Sequence, residues 1–127
     1  GLPGRGTIIA RFRLDQNSLA VCCLHLALSD KARRKQLAYV CELLAQEKYI
    51  IIMGDMNCLS SQLFNSALKD LDLVTANVPL NSFPSWQPSR SIDHILVSQN
   101  LKITQAQVIC STLSDHCPVA MTVEIAN

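Results

Sequence analysis

The residues with most chemical capacity fall in four short segments. Gly54-Asp55-Met56-Asn57 directly follows Tyr49–Met53, the most hydrophobic run of the chain, so a rigid strand would hold the carboxylate, and the amide two residues on can point the same way. Magnesium takes oxygen ligands at about 2.1 Å and keeps several waters, so one or two carboxylates per ion suffice. A plain turn explains the same residues, since Gly, Asp and Asn all favour turns. Ser114-Asp115-His116 juxtaposes a carboxylate and an imidazole. That is either a metal ligand beside a group that donates to phosphate or moves a proton, or a capped turn with a solvated histidine. Ser91-Ile92-Asp93-His94-Ile95 sets a carboxylate inside an apolar strand, where burial demands a partner, and a histidine from another segment is a natural one. Strand alternation sends Asp93 and His94 to opposite faces, which leaves His94 structural. In Leu24-His25-Leu26 the histidine stands alone among hydrophobes, the setting of a hydrogen-bonded core residue more often than of a catalyst.

The residues between these segments must position them. Gly6–Arg13 alternates at its end and reads as a strand, Asp15–Ser18 as a turn, and Leu19–Leu26 as a second strand paired with the first in a hairpin. Ser29 or Asp30 caps a helix running to about Glu47, with Leu37, Val40, Cys41 and Leu44 at helical spacing on its buried face. Tyr49–Met53 is continuous and rich in isoleucine, the pattern of a strand covered on both faces. A short helix is predicted near Ser61–Leu71. Pro79–Arg90, rich in Pro, Ser and Asn with Phe83 and Trp86 as its only aromatics, reads as a loop. Ser91–Ser98, Lys102–Cys110 and Pro118–Ile125 complete the predicted strands. Strands with intervening helices predict an α/β layered domain.

Composition sets outer bounds. Hydrophobic residues make up 49% and charged residues 17% of 127 residues, which suits one globular domain with a real core. The net charge of +1 draws the chain to neither nucleic acid nor membrane, so affinity for phosphate must come from a local site. Apolar runs reach strand length, short of the roughly 20 residues that span a bilayer. Gly1–Gly6 holds no apolar signal segment, and the absence of Met at position 1 suggests a processed, truncated or tagged chain. The six cysteines include no C-x-x-C pair, and Cys22 and Cys23 are adjacent, so on a strand they face opposite sides. Cys22, Cys23, Cys41, Cys58, Cys110 and Cys117 therefore read as free, mostly buried thiols of a reducing, cytoplasmic protein.

Taken in order, the chain carries His-Leu at a strand end, Gly-Asp-x-Asn, Ile-Asp-His-Ile and Ser-Asp-His. This ordered set resembles the endonuclease/exonuclease/phosphatase family, and Phe83-Pro84-Ser85-Trp86 leading into Ser91–Ser98 is similar to its bacterial hydrolases. The resemblance runs from Arg5 to Ile125. It implies a metal-dependent phosphoesterase using Mg²⁺ or Mn²⁺, on a layered α/β sandwich of two facing sheets with helices outside. It also implies a role for each matching residue. Asp55 would position or activate the attacking water and share the metal with Asp115. Asn57 would orient that water or the phosphate. His116 would donate to a non-bridging oxygen of the pentacovalent phosphorus, with Asp93 bonded to it and favouring its charged form. His25 would contact phosphate or assist the leaving group, and Trp86 would lie over the substrate or pack against the protein. Phosphoryl transfer asks mainly for charge neutralisation and in-line positioning, which such groups supply.

The family pattern also includes an upstream half with an early Asn and a Glu metal ligand. Neither Glu42 nor Glu47 fits that role, because both fall late on an ordinary helix. Residues 1–127 are accordingly expected to form the C-terminal half of such a domain, with little hydrolytic activity alone, and with either a missing N-terminal partner or self-association through an uncovered sheet. The substrate is expected to be a phosphate ester, nucleic acid among the classes left open. A second reading is a catalytically silent interaction or assembly fragment. A third reading, a zinc-thiolate module, fits the cysteine spacing poorly. Lys31, Arg33, Arg34 and Lys35 crowd a helix start, where the dipole disfavours cations, and read as a solvated basic face.

Overall fold

The structure is a computed structural model that describes residues 5–125, so Gly1–Gly4 of the opening segment lie outside it. Strands β1 (Thr7–Leu14) and β2 (Asn17–His25) form the expected antiparallel hairpin, turning through Asp15 at a positive φ of 54°. Helix α1 (Asp30–Leu44) follows, and its cap Ser29 accepts a hydrogen bond from the Ala32 amide. Strand β3 (Tyr49–Asp55) then runs parallel to β2, the crossover being the helix itself. Next come helix α2 (Ser60–Phe64), a 3₁₀ turn (Ala67–Leu71) and the two-residue strand β4 (Leu73–Val74). After a long loop, β5 (Asp93–Ser98) returns antiparallel to β3, and β6 (Leu101–Val108) and β7 (Val119–Ile125) make a second hairpin. The main sheet has the order β1-β2-β3-β5-β4, and β6-β7 is a separate two-stranded sheet.

Alternation along the strands sorts side chains into two cores. Ala20, Cys22, Leu24, Ile50 and Ile52 meet Leu37, Val40 and Leu44 of α1 on one face. Tyr49, Ile51 and Val97 on the other face meet Leu101, Met121 and Val123 of the hairpin β6-β7. Layers of helix, sheet and hairpin result, and β3 in the middle is buried on both sides as its composition predicts. The hairpin leaves β1 uncovered. Ile8, Phe12 and Leu14 pair across from Cys23, Leu19 and Asn17, and Ile8 and Phe12 are 73% and 54% exposed.

Several expectations need correction. The predicted helix over Ser61–Leu71 is broken, because the Ser66 hydroxyl bonds the Leu63 carbonyl and the Leu68 amide and opens the chain between α2 and the 3₁₀ turn. Arg33 is not part of a solvated basic face. It is 7% exposed, and its guanidinium donates to the carbonyls of Ala27 and Leu28, fastening the loop between β2 and α1. All six thiols are free, but only Cys22, Cys58 and Cys117 are buried. Cys41 is half-buried, while Cys23 faces the uncovered end of the sheet and Cys110 lies in the loop after β6.

Candidate active site

The strand directions bring the chemistry-bearing residues to one edge of the main sheet. Because β2 and β3 are parallel, their C-terminal residues His25 and Asp55 stand side by side. Because β5 is antiparallel to β3, its first residue, Asp93, pairs with Asp55. Gly54 permits this close arrangement: its φ is +140°, and a Cβ there would lie 1.8 Å from the Leu24 carbonyl oxygen. The loop before β7 then swings His116 across, since the Cys117 amide bonds the Ser82 carbonyl and the Ser85 amide bonds the Asp115 carbonyl.

A cavity of about 530 Å³ opens at this edge, and its lining includes Arg5, His25, Asp55, Asn57, Asp115 and His116. The His116 Nδ1–H donates to Asp93 Oδ2 at 2.7 Å, and the Ser82 hydroxyl donates to the same oxygen. The opposite nitrogen of His116, Nε2, faces Asp55 Oδ2 at 3.6 Å, and Phe83 packs on the ring with centroids 4.8 Å apart. Burial alone would disfavour the charged imidazole. The hydrogen bond to Asp93, together with the negative charges of Asp93, Asp55 and Asp115, outweighs it and raises the His116 pKa above 6.5. His25 Nε2 lies 3.5 Å from Asp55 Oδ2 and accepts a 3.1 Å hydrogen bond from Arg5, whose guanidinium also donates to the Leu26 carbonyl.

Asp55, Asp93 and His116 bring their ligand atoms within 4.8 Å of one another. Asp55 Oδ1 accepts from the Asn57 amide, and Asn57, at a positive φ of 51°, ties its own side chain to the Leu26 carbonyl. Asp115 lines the cavity but is exposed and outside that cluster, its Oδ1 accepting from Ser114. His94 turns away, buried, and donates to the Cys58 carbonyl, and burial lowers its pKa. Trp86 is 70% exposed on a neighbouring loop and does not line the cavity. Arg5, Ser82, Phe83 and Arg90 belong to this neighbourhood although sequence reasoning passed over them. A serine in a Pro/Ser/Asn-rich loop gives no signal of its own, and its value here comes from a contact with Asp93, eleven residues on.

The sequence model of the Endonuclease/Exonuclease/phosphatase family matches residues 6–116. Among curated proteins no sequence matches. Among solved structures, a conserved protein of unknown function from Enterococcus faecalis V583 is similar, with a TM-score of 0.78 and 22% identity, over 97% of this chain and 59% of that one. A mannosyl-6-phosphatase from Bacteroides thetaiotaomicron has a TM-score of 0.76 at 22% identity, over 95% and 57% of the two chains. TDP2 from D. rerio, complexed with a single-strand DNA product, has 0.72 at 17% identity, over 94% and 62%. These identities show a shared fold, and the chain spans about three-fifths of each of those structures.

Proposed function

As the chain belongs to the endonuclease/exonuclease/phosphatase family, we propose that it carries the C-terminal half of a metal-dependent phosphoesterase site. The observation that carries this reading is His116, oriented by Asp93 through one ring nitrogen and presenting the other to the cavity opposite Asp55. With Nδ1–H committed to Asp93 and the charged form favoured, His116 donates from Nε2 to a non-bridging phosphoryl oxygen and stabilises the added charge of the pentacovalent phosphorus. Asp55 takes the proton of the attacking water or holds that water in line, and Asn57 helps fix its position. Arg5 keeps His25 turned toward the cavity, where it meets phosphate or the leaving oxygen. Trp86, exposed nearby, remains available to pack over a substrate.

The residues fit a hard divalent cation, Mg²⁺ or Mn²⁺, because Asp55, Asp93 and Asp115 bring carboxylates to the cavity wall. Asp55 and Asp115 would hold it, since Asp93 and His116 are already bonded to each other. When bound, such an ion neutralises phosphate charge and polarises the phosphoryl group.

No glutamate lines the cavity among the described residues, and the apolar side of β1 is uncovered. Both support an upstream half, or a second copy, that completes the sheet stack and supplies the missing carboxylate. They equally favour the second reading, a catalytically silent assembly module. Assaying the 127-residue chain on bis(p-nitrophenyl) phosphate with Mg²⁺ or Mn²⁺ should give little turnover, and adding the upstream half of the protein should raise it. Asp55→Ala or His116→Ala in the completed protein should abolish that gain, a loss far larger than the accompanying fall in stability. Metal-dependent turnover by the monomeric chain, lost on Asp55→Ala, would show that the cavity needs no further half. Persistent inactivity of the completed protein would favour the silent module.

A further inference from the structure

A second cavity, of about 670 Å³, adjoins the first, and Arg90 and Asp93 line both. It lies at the sheet margin because β4 pairs with β5 only at Val97 and Ser98, beyond which the Thr75 hydroxyl bonds the Ile95 carbonyl and the cavity opens beside Asp93 and His94. Its walls come from the start of α2, the loop after β4 and the segment leading into β5.

The lining has a distinct chemistry. Ser60, Ser61, Asn77, Asn81 and Ser91 contribute hydroxyls and amides, while Leu59 and Val78 expose aliphatic surface among them. Arg90 and Asp93 are its charged side chains, both at the junction with the first cavity. Asp93 is engaged by His116 and Ser82, whereas the Arg90 guanidinium has no ion-pair partner among the described residues. No Phe, Tyr or Trp side chain lines this cavity, so a nucleobase would gain no stacking there. Hydroxyls and amides both donate and accept, and so match alcohol groups. The aliphatic patches suit the C–H faces of a ring, and a single arginine fits one phosphate in a forked, bidentate contact.

We propose that the second cavity is the subsite for the sugar of a sugar phosphate, with Arg90 gripping the phosphate at the junction. This deepens and rests on the phosphoesterase reading above. Hydrolysis in that pose joins the water's OH to phosphorus and breaks the phosphorus–oxygen bond to the sugar. The remaining hydrogen of the water passes to the sugar oxygen, leaving inorganic phosphate in one cavity and a neutral sugar in the other.

Binding to the 127-residue chain in Mg²⁺, followed by titration calorimetry, tests this without requiring turnover. Glucose 6-phosphate should bind about tenfold tighter than inorganic phosphate, and thymidylyl-thymidine should bind more weakly than the sugar phosphate. Replacing Asn77 and Asn81 together by Ala should erase the advantage of the sugar phosphate and leave phosphate binding unchanged. Arg90→Ala should weaken both phosphate ligands by about tenfold, with Arg90→Lys recovering part of the loss. Far-UV circular dichroism and melting of each variant, all altered at surface side chains, report whether the fold is kept. If phosphate binds but the sugar adds nothing, or the dinucleotide binds best, the subsite assignment falls and the phosphoesterase reading stands. If inorganic phosphate itself fails to bind, the Arg90 assignment and the subsite fall together, and the phosphoesterase reading is decided by turnover of the completed protein.

Discussion

His116 gains its proton more readily in the folded chain than in the unfolded one, which makes it a reporter of the site. Its folded pKa lies above 6.5, so its contribution to stability is fully present below about pH 6.5 and is lost as pH rises through the raised value. Urea midpoints of the native protein and His116→Gln should therefore differ most near pH 6 and converge as pH rises through the raised pKa. A gap that stays constant across that range would mean the imidazole is not charged against Asp93. His94 has the opposite sign: burial lowers its pKa, so its contribution is present above pH 6.5 and fades as pH falls through the lowered value. Gly54 gives a sharper case. Gly54→Ala meets both a disfavoured φ and the Leu24 carbonyl, and should cost about 2–4 kcal/mol in urea unfolding, a range reserved for strained or overpacked positions. A loss below about 0.5 kcal/mol, the size of an ordinary surface change, would show that β2 and β3 can separate freely there.

The elements divide by how local their causes are. The hairpin of β1 and β2, the Ser29 cap, the stripe of α1 and the buried run of β3 were all legible, because each is written in neighbouring residues. The opposite faces of Asp93 and His94 followed from alternation alone. What was not legible depends on distant partners. Strand β4 is two residues long and exists by pairing with β5, some two dozen positions later. Arg33 looks like one of four surface cations until the carbonyls of Ala27 and Leu28 are placed against it. Arg33→Ala should cost about 1–3 kcal/mol by leaving those carbonyls unpaired, as read from the denaturation midpoint. Arg34→Ala, whose partner Asp30 is exposed, should change the midpoint little.

At the scale of the whole molecule, the uncovered side of β1 has two measurable outcomes. Ile8 and Phe12 present apolar surface on an edge strand, so the chain should self-associate with rising concentration, and Ile8→Lys with Phe12→Lys should return it to monomer in sedimentation. A chain that stays monomeric at high concentration would remove the support for a covering partner. Thiol titration maps the same surface: Cys23 and Cys110 should react quickly, while Cys22 and Cys41, pushed up to about 11 chiefly by burial, lag behind, and all six should react after unfolding. The contact between His116 and Asp93 has, beyond its chemistry, a mechanical side. It straps the loop between β6 and β7 to the first residue of β5, alongside the bonds from Cys117 to Ser82 and from Ser85 to Asp115. A group that grips the imidazole should therefore also steady the hairpin against the sheet, coupling the outermost layer to the cavity. Phosphate added at one edge of the molecule should slow amide exchange at Ile103 and Val123, well inside the hairpin, and occupancy could be read there without observing the site at all.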